Sequence, residues 1–211
     1  MSTIIDLTMP LEHGMRGVSI EESRTLERDG WNARMLHLYS HSGTHMEASL
    51  HFNSDRTKTI DAISIDNFMS TAWIVDATHV QSAGLIGLDV IDHIDDIIEA
   101  GESLLIRTDW YLKHGTPEYR EALPRISEQL AQWCVEKKVR MLGVEPPSVA
   151  DVNNLRELTS IHQILMNGHV IIVEGLCNLD KVNSSCVHFF AIPLKIKDGD
   201  ASPVRAFCIE N

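Results

Sequence analysis

The chain has 211 residues, of which 44% are hydrophobic and 23% are charged, and this ordinary globular composition excludes a disordered chain. Its 30 acidic residues outnumber its 18 lysines and arginines, which gives a formal net charge of −12, and without a basic patch we expect no nucleic-acid partner. The first residues have no basic leader and no run approaches the roughly 20 apolar residues that cross a bilayer, so we expect a cytoplasmic protein without a membrane partner.

Eight short runs rich in β-branched and aromatic residues predict strands, and several alternate apolar with polar residues as a half-buried strand does. The first four are TIIDLT at 3–8, ARMLHLYS at 33–40, TAWIVDAT at 71–78 and SLLIRT at 103–108. The other four are VRMLGV at 139–144, HVIIVE at 169–174, HFFAIPLKI at 188–196 and PVRAFCI at 203–209. Strands therefore dominate the predicted core.

Three segments between these strands predict helices, at 88–99, 126–138 and 159–167. Their apolar spacing and the glycines that follow the first and third segments are typical of helices and their ends. Strand runs with so few helices predict a mixed, strand-rich α/β fold with much antiparallel pairing. The length favours a single domain over residues 1–211.

The stretch HSGTHMEASLHF at residues 41–52 concentrates potential metal ligands. His41 and His45 are four residues apart, Glu47 follows, and His51 adds a third imidazole. Imidazole and carboxylate donors suit zinc or manganese, so the stretch indicates a divalent metal site. A histidine pair in a loop is also common on protein surfaces, and the metal interpretation therefore depends on further ligands elsewhere in the chain.

A second cluster contains such ligands. His162 lies in the third predicted helix, and Glu174 ends the strand run HVIIVE. An ionised carboxylate in such an apolar run is seldom buried without a cation. Glu174 is therefore either a metal ligand that converges with His162 on the first cluster or one half of a structural salt bridge with a lysine or arginine.

Together these stretches closely resemble the metal-dependent cyclase family, which includes bacterial arylformamidases (kynurenine formamidases) and isatin hydrolases. The family pattern HxGTHxDxPxHF is matched at 41–52. Further similarity, at IIDLTMPL, LLIRTDW, GVEPPSV and PLKIKDGDASPVRAF, extends over nearly the whole chain. The resemblance implies a swivelling β/β/α domain that forms a homodimer.

The resemblance also implies a ligand set for the metal. His41, His45 and Glu47 would hold one divalent ion, and Glu47, His162 and Glu174 would hold a second ion where two are present. We expect one or two ions per chain, with zinc as the first expectation and manganese as the alternative.

The implied catalytic residue is His51, which would move a proton between metal-activated water and the leaving group. The alternative for His51 is a further ligand or a hydrogen-bond donor behind the ligands. The expected reaction is hydrolysis of a small-molecule amide of the N-formylkynurenine type. Alternatives are an ester, lactone or lactam hydrolase, a cyclase or dehydratase, or a metal-binding protein without catalysis.

Three places depart from the family pattern. Glu47 replaces an aspartate, and its additional methylene can change a carboxylate that bridges two metals into one that binds a single ion. Ser49 replaces a proline, so the turn before His51 loses a locked φ angle. The run RGVSIEES at 16–23 stands where relatives have a proline and glycine turn that shapes the substrate pocket.

Overall fold

The computed structural model describes residues 2–53, 55 and 58–210. The α-helices among them are α1 Leu26–Asp29, α2 Glu118–Glu121, α3 Glu128–Glu136 and α4 Leu155–Asn167. The first six strands are β1 Thr3–Asp6, β2 Val18–Arg24, β3 Ala33–Leu38, β4 His45–Glu47, β5 Met69–Asp76 and β6 Leu85–Ile86. The other six are β7 Ser103–Arg107, β8 Arg125–Ile126, β9 Met141–Val144, β10 Ile171–Glu174, β11 Cys186–Pro193 and β12 Ala201–Glu210.

Eight of the strands form one sheet in the order β1, β12, β11, β5, β7, β9, β10 and β4, and β4 also pairs with β12. This second pairing closes the sheet into a ring, to which β1 is attached at the far end of β12. Neighbours from β5 to β10 are parallel, and the other pairs are antiparallel. The predicted mixed, strand-rich α/β fold is thus confirmed.

Alternation along the strands produces two hydrophobic cores. In β7, Leu104 and Ile106 face a core that includes Leu130 of α3 and Leu165 of α4, whereas Leu105 faces the opposite core. The opposite core takes at least one residue from each strand of the ring, including Met46, Ala72, Leu105, Met141, Val173, Phe189 and Ala206. Helices α3 and α4 therefore cover the outside of the ring, and apolar side chains fill its interior.

All eight predicted strand runs contain strands, and the second and third predicted helices correspond to α3 and α4. The helix predicted at 88–99 is wrong: this segment has a short 3-10 helix at Leu88–Ile91 followed by turns. Four aspartates and five β-branched residues in this segment disfavour a continuous α-helix. Within the described ranges, no helix is long and apolar enough to span a membrane.

A buried carboxyl group follows β9. The Oε2 atom of Glu145 accepts hydrogen bonds from the backbone N–H and the hydroxyl of Thr108, at 2.8 and 3.0 Å. Its Oε1 atom is buried and has no hydrogen-bond partner among the residues described. Burial raises the pKa of Glu145 to about 7, because the charged form has lost its hydration.

We therefore expect Glu145→Gln to stabilise the protein at pH 8 but to change its stability little at pH 4.5. The raised pKa means that the neutral carboxyl contributes stability that is complete below the ordinary pKa of about 4.5 and is lost as pH rises through about 7. Glutamine stays neutral throughout, so the gain in the free energy of unfolding of the variant grows with pH to at most about 3 kcal/mol. Denaturant unfolding across this pH range measures it, with Glu99→Gln at an exposed position as control. A difference in stability between wild type and Glu145→Gln that does not change with pH would contradict the effect of burial on this carboxyl group.

Candidate metal centre

Strand β4 places two predicted ligands on one face of the sheet. It lies between β10 and β12, with His45 opposite Glu174 and with Glu47 opposite Ile172 and Ala201. Because side chains alternate along a strand, Met46 points into the interior of the ring while His45 and Glu47 point away from it. The strand register therefore brings the 41–52 stretch and Glu174 together.

Two glycines allow the loops at this edge to approach each other. Gly43 and Gly175 have φ angles of +60° and +69°, and a Cβ atom on Gly175 would lie 2.7 Å from the Gly43 carbonyl oxygen. The Thr44 hydroxyl donates to the Gly175 carbonyl oxygen at 2.6 Å and accepts from the Met9 backbone N–H at 2.9 Å. Thr44 thus satisfies backbone groups and fastens the metal-site loops together.

Gly175→Ala is expected to destabilise the fold by a few kcal/mol, because a left-handed φ costs about 1–2 kcal/mol for alanine and the clash adds to it. Gly14→Ala is the matched control, since Gly14 has a φ of +89° and no atom within 4 Å of an added Cβ. Thermal unfolding of both variants separates backbone strain from the clash. Equal decreases in Tm would show that the loop contact contributes nothing.

His41 lies between two carboxylates. Its Nδ1 is 3.1 Å from Oε1 of Glu47, and its Nε2 is 2.9 Å from Oδ2 of Asp200. Burial by itself lowers the pKa of His41, but its hydrogen bonds and charge interactions with these carboxylates outweigh burial and raise the pKa to about 9. The imidazole is therefore protonated in the metal-free cluster, and a metal ion that binds there must displace this proton.

The hydrogen bonds of His45 and His162 leave one ring nitrogen of each facing the carboxylates. Nδ1 of His45 is 3.0 Å from the Gly43 carbonyl oxygen, and Nδ1 of His162 is 2.6 Å from the Leu158 carbonyl oxygen. Each Nδ1–H therefore donates to the backbone, and Nε2 is available as a ligand. Nε2 of His45 is 3.2 Å from Oε2 of Glu174.

Glu47 and Glu174 form the centre of the cluster. Oε2 of Glu47 is 3.4 Å from Nε2 of His162, yet it is buried and accepts no hydrogen bond from any described residue. Glu174 accepts a hydrogen bond from the Val149 backbone N–H at 2.7 Å. Burial raises its pKa, but hydrogen bonds with His162 and His45 lower the pKa well below the ordinary value.

These donors fit a divalent cation. The ligand atoms of His41, His45 and Glu47 lie within 4.8 Å of one another, as do those of Glu47, His162 and Glu174. In the described part of the chain, the ion-pair partners of Glu47 and Glu174 are histidines rather than lysines or arginines. Among the residues that the structure describes, Glu174 therefore forms no salt bridge with a lysine or arginine. Two buried carboxylates and a carboxylate oxygen without a hydrogen bond match the chemistry of a bound cation.

His51 lies at the open side of the cluster, at the end of a 3-10 helix, Ser49–His51. Its Nε2 is 3.7 Å from Oε1 of Glu47, its Nδ1 is 3.6 Å from Oδ2 of Asp200, and its side chain is 26% exposed. Burial lowers the pKa of His51; the charge of Glu47 opposes this effect, but His41 and His162 lower the pKa further. A neutral imidazole with access to solvent is suited to accept a proton.

Sequence analysis did not identify Asp200. Its carboxylate contacts both His41 and His51, and these three residues form a third group with ligand atoms within 4.8 Å. Asp200 lies directly before β12, whose first residue pairs with Glu47. Asp200 lies within the family-like stretch PLKIKDGDASPVRAF, but its position ahead of a strand becomes informative only once the pairing of β12 with β4 is known.

A cavity of about 650 Å³ opens above this cluster. The predicted ligands and His51 lie at its base. Its apolar walls include Met15, Phe52, Val152 and Leu158, and Arg16 and Arg120 also line it. The cavity is therefore large enough for a small aromatic molecule, with polar groups at the base and apolar surface on the walls.

Comparisons with known proteins agree with this description. Residues 5–151 match the model of a family described as putative cyclase. The chain is 32% identical to the kynurenine formamidase of Bacillus cereus over 210 residues, which cover 96% of this chain and 95% of that protein. The kynurenine formamidase of Bacillus mycoides is equally similar, at 32% identity with the same coverage.

Solved structures share the fold. Isatin hydrolase A from Ralstonia solanacearum superposes with a TM-score of 0.89 at 23% identity, covering 100% of this chain and 92% of that one. A structure titled a potential metal-dependent hydrolase with cyclase activity has a TM-score of 0.80 at 24% identity, covering 100% of this chain and 99% of that one. The closed mixed sheet and its helices are therefore the architecture of these hydrolases.

Proposed function

Since the chain belongs to the putative cyclase family, we propose that it is a metal-dependent hydrolase that cleaves a small amide of the N-formylkynurenine type. The observation that carries the proposal is the buried group of histidines and glutamates at the base of the cavity, in which Oε2 of Glu47 has no hydrogen-bond partner among the described residues. The 32% identity to kynurenine formamidases over 96% of the chain supports the amide as substrate.

The proposed ligands are His41, His45 and Glu47 for one ion, and Glu47, His162 and Glu174 for a second ion where two are bound. Zinc is the first expectation and manganese the alternative, because imidazole nitrogens and carboxylate oxygens suit both metals. When bound, a divalent metal supplies Lewis acidity, which acidifies water at neutral pH and polarises a carbonyl group.

The residues of the chain then complete the reaction. His51 accepts a proton from the attacking water and delivers it to the leaving nitrogen, for which its lowered pKa and partial exposure suit it. Asp200, whose Oδ2 lies 3.6 Å from Nδ1 of His51, places a negative charge beside the ring, which favours its protonated form. The apolar walls around Phe52 and Leu158 hold the aromatic ring of the substrate.

The proposal is tested by metal content and turnover on protein purified without chelator. We expect about one or two zinc or manganese ions per chain by elemental analysis, hydrolysis of N-formylkynurenine, loss of turnover after chelation, and recovery when the metal is restored. Metal without turnover would contradict the proposed substrate and require ester and lactam substrates to be assayed. Absence of metal, even after reconstitution, would contradict the metal centre.

We further propose that residues 1–211 form a single domain that assembles as a homodimer in the cytoplasm. Support for one domain is the pairing of β1 with β12, which joins the two ends of the chain. Support for a dimer is the hairpin of β2 and β3, where Trp31, Met35 and Leu36 are each more than half exposed. Light scattering in solution measures the assembly.

A further inference from the structure

Two arginines line the cavity above the metal centre. Arg16 precedes β2, and Arg120 lies in α2. The cavity also contains Glu47 and Glu174 at its base. The cavity lining thus includes two positively charged side chains besides the carboxylates proposed to hold the metal.

Neither guanidinium group has a partner within residues 2–53, 55 and 58–210. No ion pair or side-chain hydrogen bond involves Arg16 or Arg120 there, whereas Arg107, Arg125 and Arg205 each pair with a carboxylate. A protein with a net charge of −12 has many carboxylates for such pairs. Arg16 is exposed and Arg120 is half-buried, so both guanidinium groups are free to pair with an anionic group of a ligand in this cavity.

The two guanidinium groups also act on each other. Burial lowers the pKa of Arg120, and the charge of Arg16 lowers it further. Glu121 and the Glu174 carboxylate of the metal centre act in the opposite direction on the same group. The charge of Arg120 therefore interacts with those of both Arg16 and Glu174.

We propose that Arg16 and Arg120 bind the carboxylate of the substrate while its amide lies at the metal centre. This inference rests on the proposed function and adds which residues bind the substrate at the end away from its amide. N-formylkynurenine carries an amino-acid carboxylate on one arm of its aromatic ring and the formamide on the other. Bidentate pairing of guanidinium with carboxylate fixes orientation as well as charge, so it would direct the formamide towards the base of the cavity.

The test compares two substrates, of which one carries the amino-acid group with its carboxylate and the other lacks that group. N-formylkynurenine has it, and 2-formamidoacetophenone is a neutral compound with the same aryl formamide and ketone. For Arg16→Gln and Arg120→Gln we expect KM for N-formylkynurenine to rise roughly 10- to 100-fold, with little change for the neutral substrate. Arg120→Lys is expected to recover part of the loss, because it restores the charge without the planar fork.

Arg156→Gln is the matched control, because Arg156 is exposed on α4, has no ion pair among the described residues and does not line the cavity. Thermal unfolding verifies that each variant is folded. An equal rise in KM for both substrates, or no rise for N-formylkynurenine, would overturn the inference. The inference would also be overturned if the arginine variants dissociated a dimer but left KM unchanged, because the arginines would then form a subunit contact.

A binding measurement separates this inference from the proposed function. If the wild type hydrolyses neither substrate, calorimetry measures binding of kynurenine and of neutral 2-aminoacetophenone to the zinc-reconstituted protein. If Arg16→Gln and Arg120→Gln weaken the binding of kynurenine but not that of 2-aminoacetophenone, the carboxylate site is supported even though the proposed reaction has failed. Equal binding by wild type and variants would overturn the carboxylate site.

Discussion

Glu47→Gln is expected to remove most of the bound metal and to abolish hydrolysis. Oε1 of Glu47 lies 3.1 Å from Nδ1 of His41, and its Oε2 lies 3.4 Å from Nε2 of His162, so this residue is common to both candidate ligand groups. Glutamine keeps the size of the side chain but removes the negative charge that offsets a buried cation. Elemental analysis and N-formylkynurenine turnover measure the two effects.

Two further substitutions test whether the loss of metal in Glu47→Gln comes from the missing negative charge of a shared ligand. Glu47→Asp keeps the charge and restores the residue of the family pattern, so we expect it to retain metal. Glu174→Gln removes a carboxylate that belongs to one group only, and in a protein with two ions we expect it to lower the metal content by about one ion. Glu99→Gln, at an exposed site, controls for the change of charge. Full metal content in Glu47→Gln would contradict the shared ligand.

His51→Ala is expected to lower kcat by about 10²- to 10⁴-fold while the protein keeps its metal. His51 has the most exposed side chain of the four histidines in the cluster, and it faces the cavity beside Glu47 and Asp200. Removing a proton-transfer group slows the chemical step, whereas removing a ligand weakens metal binding. Metal content and kcat, measured on the same sample, separate these two effects.

His188→Ala is the control for His51→Ala, because His188 is exposed on β11 and does not line the cavity. It should keep both metal and turnover. Loss of metal in His51→Ala would make His51 a ligand rather than a proton shuttle. An unchanged kcat would show that another group moves the proton, and Asp200 would be the nearest candidate.

The strands could be predicted because their signal is local. The run at 103–108 alternates side chains between two buried faces, and β7 forms within it. The run at 88–99 has apolar spacing typical of a helix, but its aspartates and β-branched residues yield turns instead. Strand β4 was not predicted because its three residues, HME, include two polar side chains that are buried only when the cluster forms.

The sequence by itself determined the chemistry of this protein: the ligand types at 41–52, the histidine of α4 and the glutamate that ends β10. Only the tertiary structure decided which groups meet, because ring closure through β4 and β12 brings Asp200 to His41 and His51 across more than 140 residues of chain. It also decided that Arg16 and Arg120 share one cavity. Residue type sets what a side chain can bind, whereas strand pairing over long separations sets its neighbours.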